Sequence, residues 1–408
     1  MQHTNMSHEA LQPGSIAHPL NEETTVKNQH LYFKNPELDY FLQYALACQT
    51  YQGSAYGECF YAASHIHEDD LESWIHAWTA VAQKVEADGR NAEARGHRVS
   101  AREAYLRAAT YYAVALIAIS PRDPRFRETF GTYRATFRRS AALQDIPFEI
   151  VNLPFEGRSL SGYFLRAAGR AEKRPTLIVL GDRFAEELYF WGGAPAATRR
   201  GYHVLLIDQP GQGITPFDGL YTRADAEVPV GAMVDYLCSR SEVDPSHIAL
   251  YGIASAGYMA TRAVAFERRI SACIADAPLD DMESLMMAEA PASSHLPESE
   301  SALRSTLFDL TAWQVGKTQL SELFEVFKGM KVDDVSRITC PMLCLVSTGE
   351  VAERIRQTRK IYELLSNPKK ALHLFTEEEG ADAHNQANNL SLLHEIVFDW
   401  LDEVYTAG

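Results

Sequence analysis

Positive charge is scarce in this chain. Its 408 residues carry 38 Lys and Arg against 54 Asp and Glu, a formal net charge of −16. Recognition of a phosphate backbone needs a basic face, so nucleic acid is excluded as a partner. Attraction to anionic lipid needs the same charge and is excluded with it. Long apolar runs are also missing. No stretch approaches the ~18 consecutive apolar residues of a membrane span. The first 25 residues have neither a basic n-region nor an apolar h-region, so they are not read as a signal peptide. Cysteine is sparse, with six residues (Cys48, Cys59, Cys238, Cys273, Cys340 and Cys344). Cys340 and Cys344 fall in one expected strand, on one face, but no second pair or histidine cluster completes a zinc pattern. They are read as buried free thiols of a reducing compartment, and the chain as a cytoplasmic protein without a metal.

What is present is ordinary globular composition, 46% hydrophobic and 23% charged, enough to bury a sizeable core. Residues 1–30 are polar and read as a disordered tail. Residues 31–145 read as an N-terminal helical domain for capping or dimerisation. Apolar residues recur there at three- and four-residue steps over 37–49, 69–89 and 100–119. Ser100 with Glu103 reads as a capping box. Residues 126–143 read as a further helix. From about residue 146 the period changes. Residues 148–155 and 159–168 read as a hairpin turning at Glu156, Gly157 and Arg158. Short apolar strands at 175–181, 203–207, 247–252, 270–276, 340–349 and 371–376 then alternate with helices. That alternation predicts an α/β class with a doubly wound, mostly parallel sheet over 146–408. A helix-like stretch at about 282–336, rich in Met and Phe, reads as a lid insertion.

Chemistry concentrates at one strand–turn–helix, 247–267. Gly252-Ile253-Ala254-Ser255-Ala256-Gly257 has the form of a nucleophile elbow, whose flanking positions must be small because strand and helix meet with almost no room. One frame centres on Ala254; the other centres on Ser255 but puts the β-branched Ile253 where a small residue is needed. The first frame is preferred. It leaves no nucleophilic atom at the centre and makes the N–H of Ser255 an oxyanion donor.

The strand order, this elbow, the run Asp208 to Gly213 and the segment 378–389 resemble the α/β-hydrolase superfamily. More narrowly they resemble the branch with an N-terminal helical domain, which includes dihydroxypseudooxynicotine hydrolases and the polyketide-shortening hydrolases of heptaketide and anthraquinone pathways. The likeness covers roughly residues 40–405. It implies a Ser-acid-His triad that cleaves esters or carbon–carbon bonds beside a carbonyl, no cofactor, and a homodimer as in relatives. In those relatives the elbow serine aligns with Ala254. The alanine then has two readings: a replaced catalytic serine, or a native loss.

His384 sits in a turn-rich segment just before the closing helix, where the base of this fold lies, and chain order is respected. The acid belongs just after the strand at 340–349. In relatives it commonly lies three residues past the strand-end Gly, here Ala352, which is flanked by Glu350 and Glu353. Asp276 and Asp280, at the preceding strand end, are the other candidates. The second oxyanion donor is expected from the loop at Asp182 and Arg183. Asp182 and Arg183 could equally form an ion pair. Asp208 to Gly213 lacks the Lys of a phosphate loop and reads as a tight turn under the pocket. Tyr112, Met286 and Trp313 are candidates for an apolar substrate wall, although aromatic and Met residues at helical spacing are usually core.

The expectation is therefore a serine-type hydrolase of an aromatic or polyketide-like carbonyl compound, carrying Ala254 at its nucleophile position. The alternative is a natural non-hydrolytic protein that binds an apolar ligand, or that uses His384 for cyclisation, aldol or elimination chemistry.

Overall fold

The computed structural model describes residues 31–146, 148–169, 173–182, 190, 193–289 and 298–406. Five helices come first: α1 (Pro36–Ala47), α2 (Tyr56–Ala63), α3 (Leu71–Ala94), α4 (Arg98–Leu116) and α5 (Pro124–Ala142). Their starts follow from local chemistry. The Asn35 side chain accepts from the N–H groups of Glu37 and Leu38, with Pro36 at the first helical position. Asp70 and Asp123 cap α3 and α5 in the same way. The expected box at Ser100 does not form, because α4 begins earlier, at Arg98, after an uncapped His97. Ser100 therefore lies inside the first turn.

A hairpin follows, β1 (Glu149–Phe155) and β2 (Arg158–Leu165). Glu156 and Gly157 both take positive φ, 47° and 75°, as a two-residue turn matched to strand twist requires. Then come β3 (Arg174–Leu180), α6 (Ala194–Arg199), β4 (His203–Ile207), α7 (Glu227–Cys238), β5 (Val243–Ile253), α8 (Ala256–Phe266) and β6 (Ala272–Asp276). Three helices separate this half from the rest: α9 (Met282–Glu289), α10 (Glu298–Gln314) and α11 (Leu320–Lys328). The chain closes with β7 (Met342–Ser347), α12 (Ala352–Leu364), β8 (Ala371–Phe375) and α13 (Leu390–Thr406). Cys340 precedes β7, so it does not share a strand face with Cys344. Cys238 is exposed rather than buried.

Among the described residues the strands form one sheet of eight, in the order β1-β2-β4-β3-β5-β6-β7-β8. Pairing is antiparallel from β1 to β4 and parallel from β4 to β8. The central strands are buried on both faces, and their residues alternate between two cores. Leu177, Val179, Ala249 and Tyr251 join the core shared with α1–α5, α6 and α13. Ile178, Leu180, Ile248 and Leu250 join the one shared with α7, α8 and α11. The helical layer is thus one face's cover rather than an appendage. It is also pinned by polar contacts. Arg134 Nη2 donates to Ser161 Oγ at 2.8 Å, and Ser120 Oγ to Asp309 Oδ2 at 2.8 Å.

Leu250 sits at 0% exposure in the middle of the sheet, whereas Leu364 is 51% exposed on α12. Leu250→Ala is expected to cost roughly 2–5 kcal/mol of stability, and Leu364→Ala under about 0.5 kcal/mol. Urea denaturation measures both; similar losses at the two positions would contradict the layering.

Candidate active site

The elbow is built by close approach. A side chain at Gly252 would collide with the carbonyl oxygen of Ala256, and one at Gly257 with the carbonyl oxygen of Ala277. Only glycine lets α8 start so near the ends of β5 and β6. Between them, Ala254 takes φ 57°, the left-handed region that L-residues enter at a cost. Ser255 is already right-handed, at φ −65°, and immediately precedes α8 without capping it through its side chain. The turn is therefore centred on Ala254, whose N–H donates to the Asp276 carbonyl at 2.5 Å. Ala254 is 1% exposed.

Beside it, the Ser255 hydroxyl donates to the Asp182 carboxylate. Asp182 follows the end of β3. The Gln212 side chain donates to the Gly181 carbonyl, and Gly211 N–H donates to Leu220 O at 3.0 Å. The run Asp208 to Gly213 forms a tight, buried turn. Arg183 lies outside the described residues.

His384 and Glu350 come together. The His384 Nδ1 lies 2.6 Å from Glu350 Oε1. A carboxylate only accepts, so Nδ1 carries the proton and, in the neutral ring, Nε2 is the unprotonated nitrogen. Glu350 is 7% exposed. Burial works against its charge. The His384 and Arg354 cations, the His384 hydrogen bond and the Asn385 N–H outweigh that and hold the carboxyl down at about 2. Burial likewise pulls the His384 imidazole down, and the Glu350 carboxylate more than offsets it, so the ring titrates above its ordinary value. The Tyr40 ring of α1 lies against His384, centroids 5.4 Å apart, and burial keeps its hydroxyl neutral. After His384 the chain turns through two left-handed residues, Asn385 at φ 54° and Gln386 at φ 50°.

The other acid candidates are placed elsewhere. Glu353 is one residue from Arg354 on α12, and neighbours on a helix point about 100° apart. Its carboxylate is taken by Arg356, at 2.6 and 2.7 Å, and by Gln357 at 2.8 Å. Asp280 pairs with Lys360. Asp276 is close but does not meet the ring. Gln386 Nε2 donates to its Oδ1 at 3.3 Å, and Oδ2 has no hydrogen-bond partner among the described residues. Burial first, and the Glu350 charge second, push its carboxyl up to about 7.

The three substrate-wall candidates spread apart. Tyr112 is buried in α4 with its hydroxyl on Glu86 Oε2 at 2.9 Å. Trp313 packs on Phe217 and Phe126, at centroid distances of 4.8 and 5.3 Å. Met286 leans on the opposite core. Tyr112 belongs to one core, whereas Trp313 and Met286 are partly buried and pack against the two cores. Sequence reasoning missed Arg354 and Glu289, whose ion pair reaches Glu350. Arg354 stands four residues after Glu350, a helical spacing that was the available signal.

No family model matches the chain. It is 28% identical over 424 residues to the 20-hydroxy-prefusarin hydrolase of Gibberella moniliformis, covering 92% of this chain and 98% of that protein. To the hydrolyase poxO of Penicillium oxalicum it is 34% identical over 270 residues, covering 62% of this chain. The match spans 63% of that relative, a little under two thirds of its length. The solved 2,6-dihydroxy-pseudo-oxynicotine hydrolase superposes with a TM-score of 0.73 at 23% identity, covering 89% of this chain and 96% of that one. Further curated relatives carry the name α/β hydrolase. The chain has the α/β-hydrolase fold.

Asp276 makes the site pH-sensitive in stability. Its folded value, about 7, lies above the ordinary 3.8, so the fold prefers the neutral acid. That contribution is fully present below about pH 4 and is lost as pH rises through about 7. Asp276→Asn is expected to remove this loss, flattening the stability curve between pH 4 and 8 by on the order of a few kcal/mol. Urea midpoints across that range measure it; parallel curves for the two proteins would refute it.

Proposed function

We propose that this site acts on the carbonyl group of a small, apolar, aromatic or polyketide-like compound, and that residue 254 decides whether it does so covalently. The observation that carries the reading is the buried Glu350–His384 pair at 2.6 Å, in a fold whose nucleophile turn is centred on Ala254. In this reading Glu350 fixes the imidazole tautomer and His384 is the general base. The N–H of Ser255 and one from the loop at Asp182 hold the developing oxyanion. With serine at 254 the hydroxyl would attack the carbonyl, forming an acyl-enzyme that water then releases. Ester cleavage needs nothing more. Carbon–carbon cleavage needs a stabilised carbanion, which a β-ketone or electron-rich phenol supplies as an enolate protonated from His384. With Ala254 no acyl-enzyme forms there, and His384 can act only on water or directly on the substrate. The relatives' hydrolase names support the hydrolytic form of this chemistry.

One observation favours a second, non-hydrolytic reading. The Ser255 hydroxyl is given to the Asp182 carboxylate, an acid beside the oxyanion donors. The neighbouring hydroxyl is thereby engaged rather than free to replace the missing nucleophile, and proton transfer at a carbon next to a carbonyl needs none. His384 would then drive cyclisation, aldol or elimination chemistry without a covalent intermediate.

Ala254→Ser separates the two. Assayed on aryl esters, acyl thioesters and phenolic β-diketones, the variant is expected to gain hydrolysis by ~10³-fold or more, and to lose it again with His384→Ala. Because Glu350 raises the imidazole, its activity should fall as pH drops through a value above the ordinary 6.5 of histidine. A variant as inert as the parent, with both binding the aromatic compound equally, would overturn the hydrolytic reading.

A further inference from the structure

Behind His384 the polar contacts continue into the protein. Glu350 uses Oε1 for the ring and turns Oε2 toward Arg354 Nε, 3.5 Å away. Arg354 is 6% exposed. Its Nε and Nη2 both reach one oxygen of Glu289, at 2.9 and 2.7 Å. Its Nη1 has no hydrogen-bond partner among the described residues. Two carboxylates from different segments, one before α12 and one at the end of α9, thus share a single buried cation. A guanidinium placed only to staple two helices would need neither Glu350 nor burial beside the base.

We propose that Arg354 and Glu289 are positioning residues for His384: the guanidinium keeps Glu350 an ionised, oriented acceptor for the ring, and Glu289 keeps the guanidinium in place. This deepens the reading of His384 as the base and rests on it.

The physical need is plain. When His384 gives up its ring proton, Glu350 is left as a buried anion. An uncompensated buried charge is strongly disfavoured, so without a cation the proton would stay on the pair and the base would be blocked. Arg354 supplies that cation at all accessible pH. Glu289 partly cancels it, so the two residues should push His384 in opposite directions. Their charges act on the imidazole in that sense: Arg354 lowers its proton affinity and Glu289 raises it. Among the described residues, the other charged or titratable groups facing this centre are Asp276 from the end of β6, Asp182 after β3 and Tyr40 from α1. All three stay unchanged in the variants below.

The test is an NMR titration of the His384 imidazole in the full chain and in three variants, each checked for folding by circular dichroism. Arg354→Met should raise the midpoint by about one pH unit. Glu289→Gln should lower it. Arg354→Lys, which keeps the charge, should restore it to near the parent value. The acid limb of any activity of the Ala254→Ser protein should move with these midpoints. Should Arg354→Met not fold, Glu289→Gln and Arg354→Lys still decide the matter. A midpoint that does not fall in Glu289→Gln, or that moves the same way in both charge-removing variants, would overturn the proposal. If the midpoints move as stated while Ala254→Ser stays inert, the positioning network stands and the hydrolytic reading falls instead.

Discussion

A carboxylate buried beside an imidazole is the interaction around which this molecule is arranged. Glu350 keeps its charge inside the protein only because His384, Arg354 and the Asn385 N–H all face it. Losing one partner of a buried pair costs about 3–5 kcal/mol, because the other is left uncompensated. The surrounding segments are therefore constrained. β7 must end where Glu350 can reach the ring, α12 must begin at once so that Arg354 falls four residues on, and the chain after β8 must turn sharply through Asn385 and Gln386. The left-handed backbone at those two residues fits strain held in place by its surroundings.

The same logic of close approach governs the elbow. The parallel sheet brings the ends of β5, β6 and β7 to one edge, where Ala254, Asp276 and Glu350 meet. Two glycines remove the side chains that would keep α8 away. The result is a turn shaped to present an atom at position 254, with a methyl group there. The pairing of Glu350 with His384 and its charge compensation by Arg354 do not depend on which side chain stands at 254.

Much of this was legible in the sequence. Short apolar strands alternating with helices gave the doubly wound sheet, since strands buried on both faces cannot show a polar side. The small residues around Ala254 and the turn-rich segment at His384 marked their own places. The choice between Glu350 and Glu353 was not legible. Both flank the expected position, and only the start of α12 at Ala352 decides which faces the ring. Ser100 misled for a related reason: packing of α4 against α3 and α5 extended the helix past its best local cap. Tyr112 and Trp313 read as pocket or core alike, because aromatic spacing does not say which side of a helix meets a ligand. Arg354 was overlooked because arginine on a polar helix is usually solvated, and the Glu289 that pairs with it lies 65 residues away in sequence.

The most direct measurement is the proton NMR spectrum far downfield, where a short, charge-assisted N–H···O bond to a buried carboxylate is strongly deshielded. If Glu350 holds the His384 ring, one such resonance is present in the parent chain, persists in Glu353→Gln and vanishes in Glu350→Gln and in His384→Ala. A resonance that survives Glu350→Gln, or one lost in Glu353→Gln, would show that the ring is held by another carboxylate and would contradict the site described above.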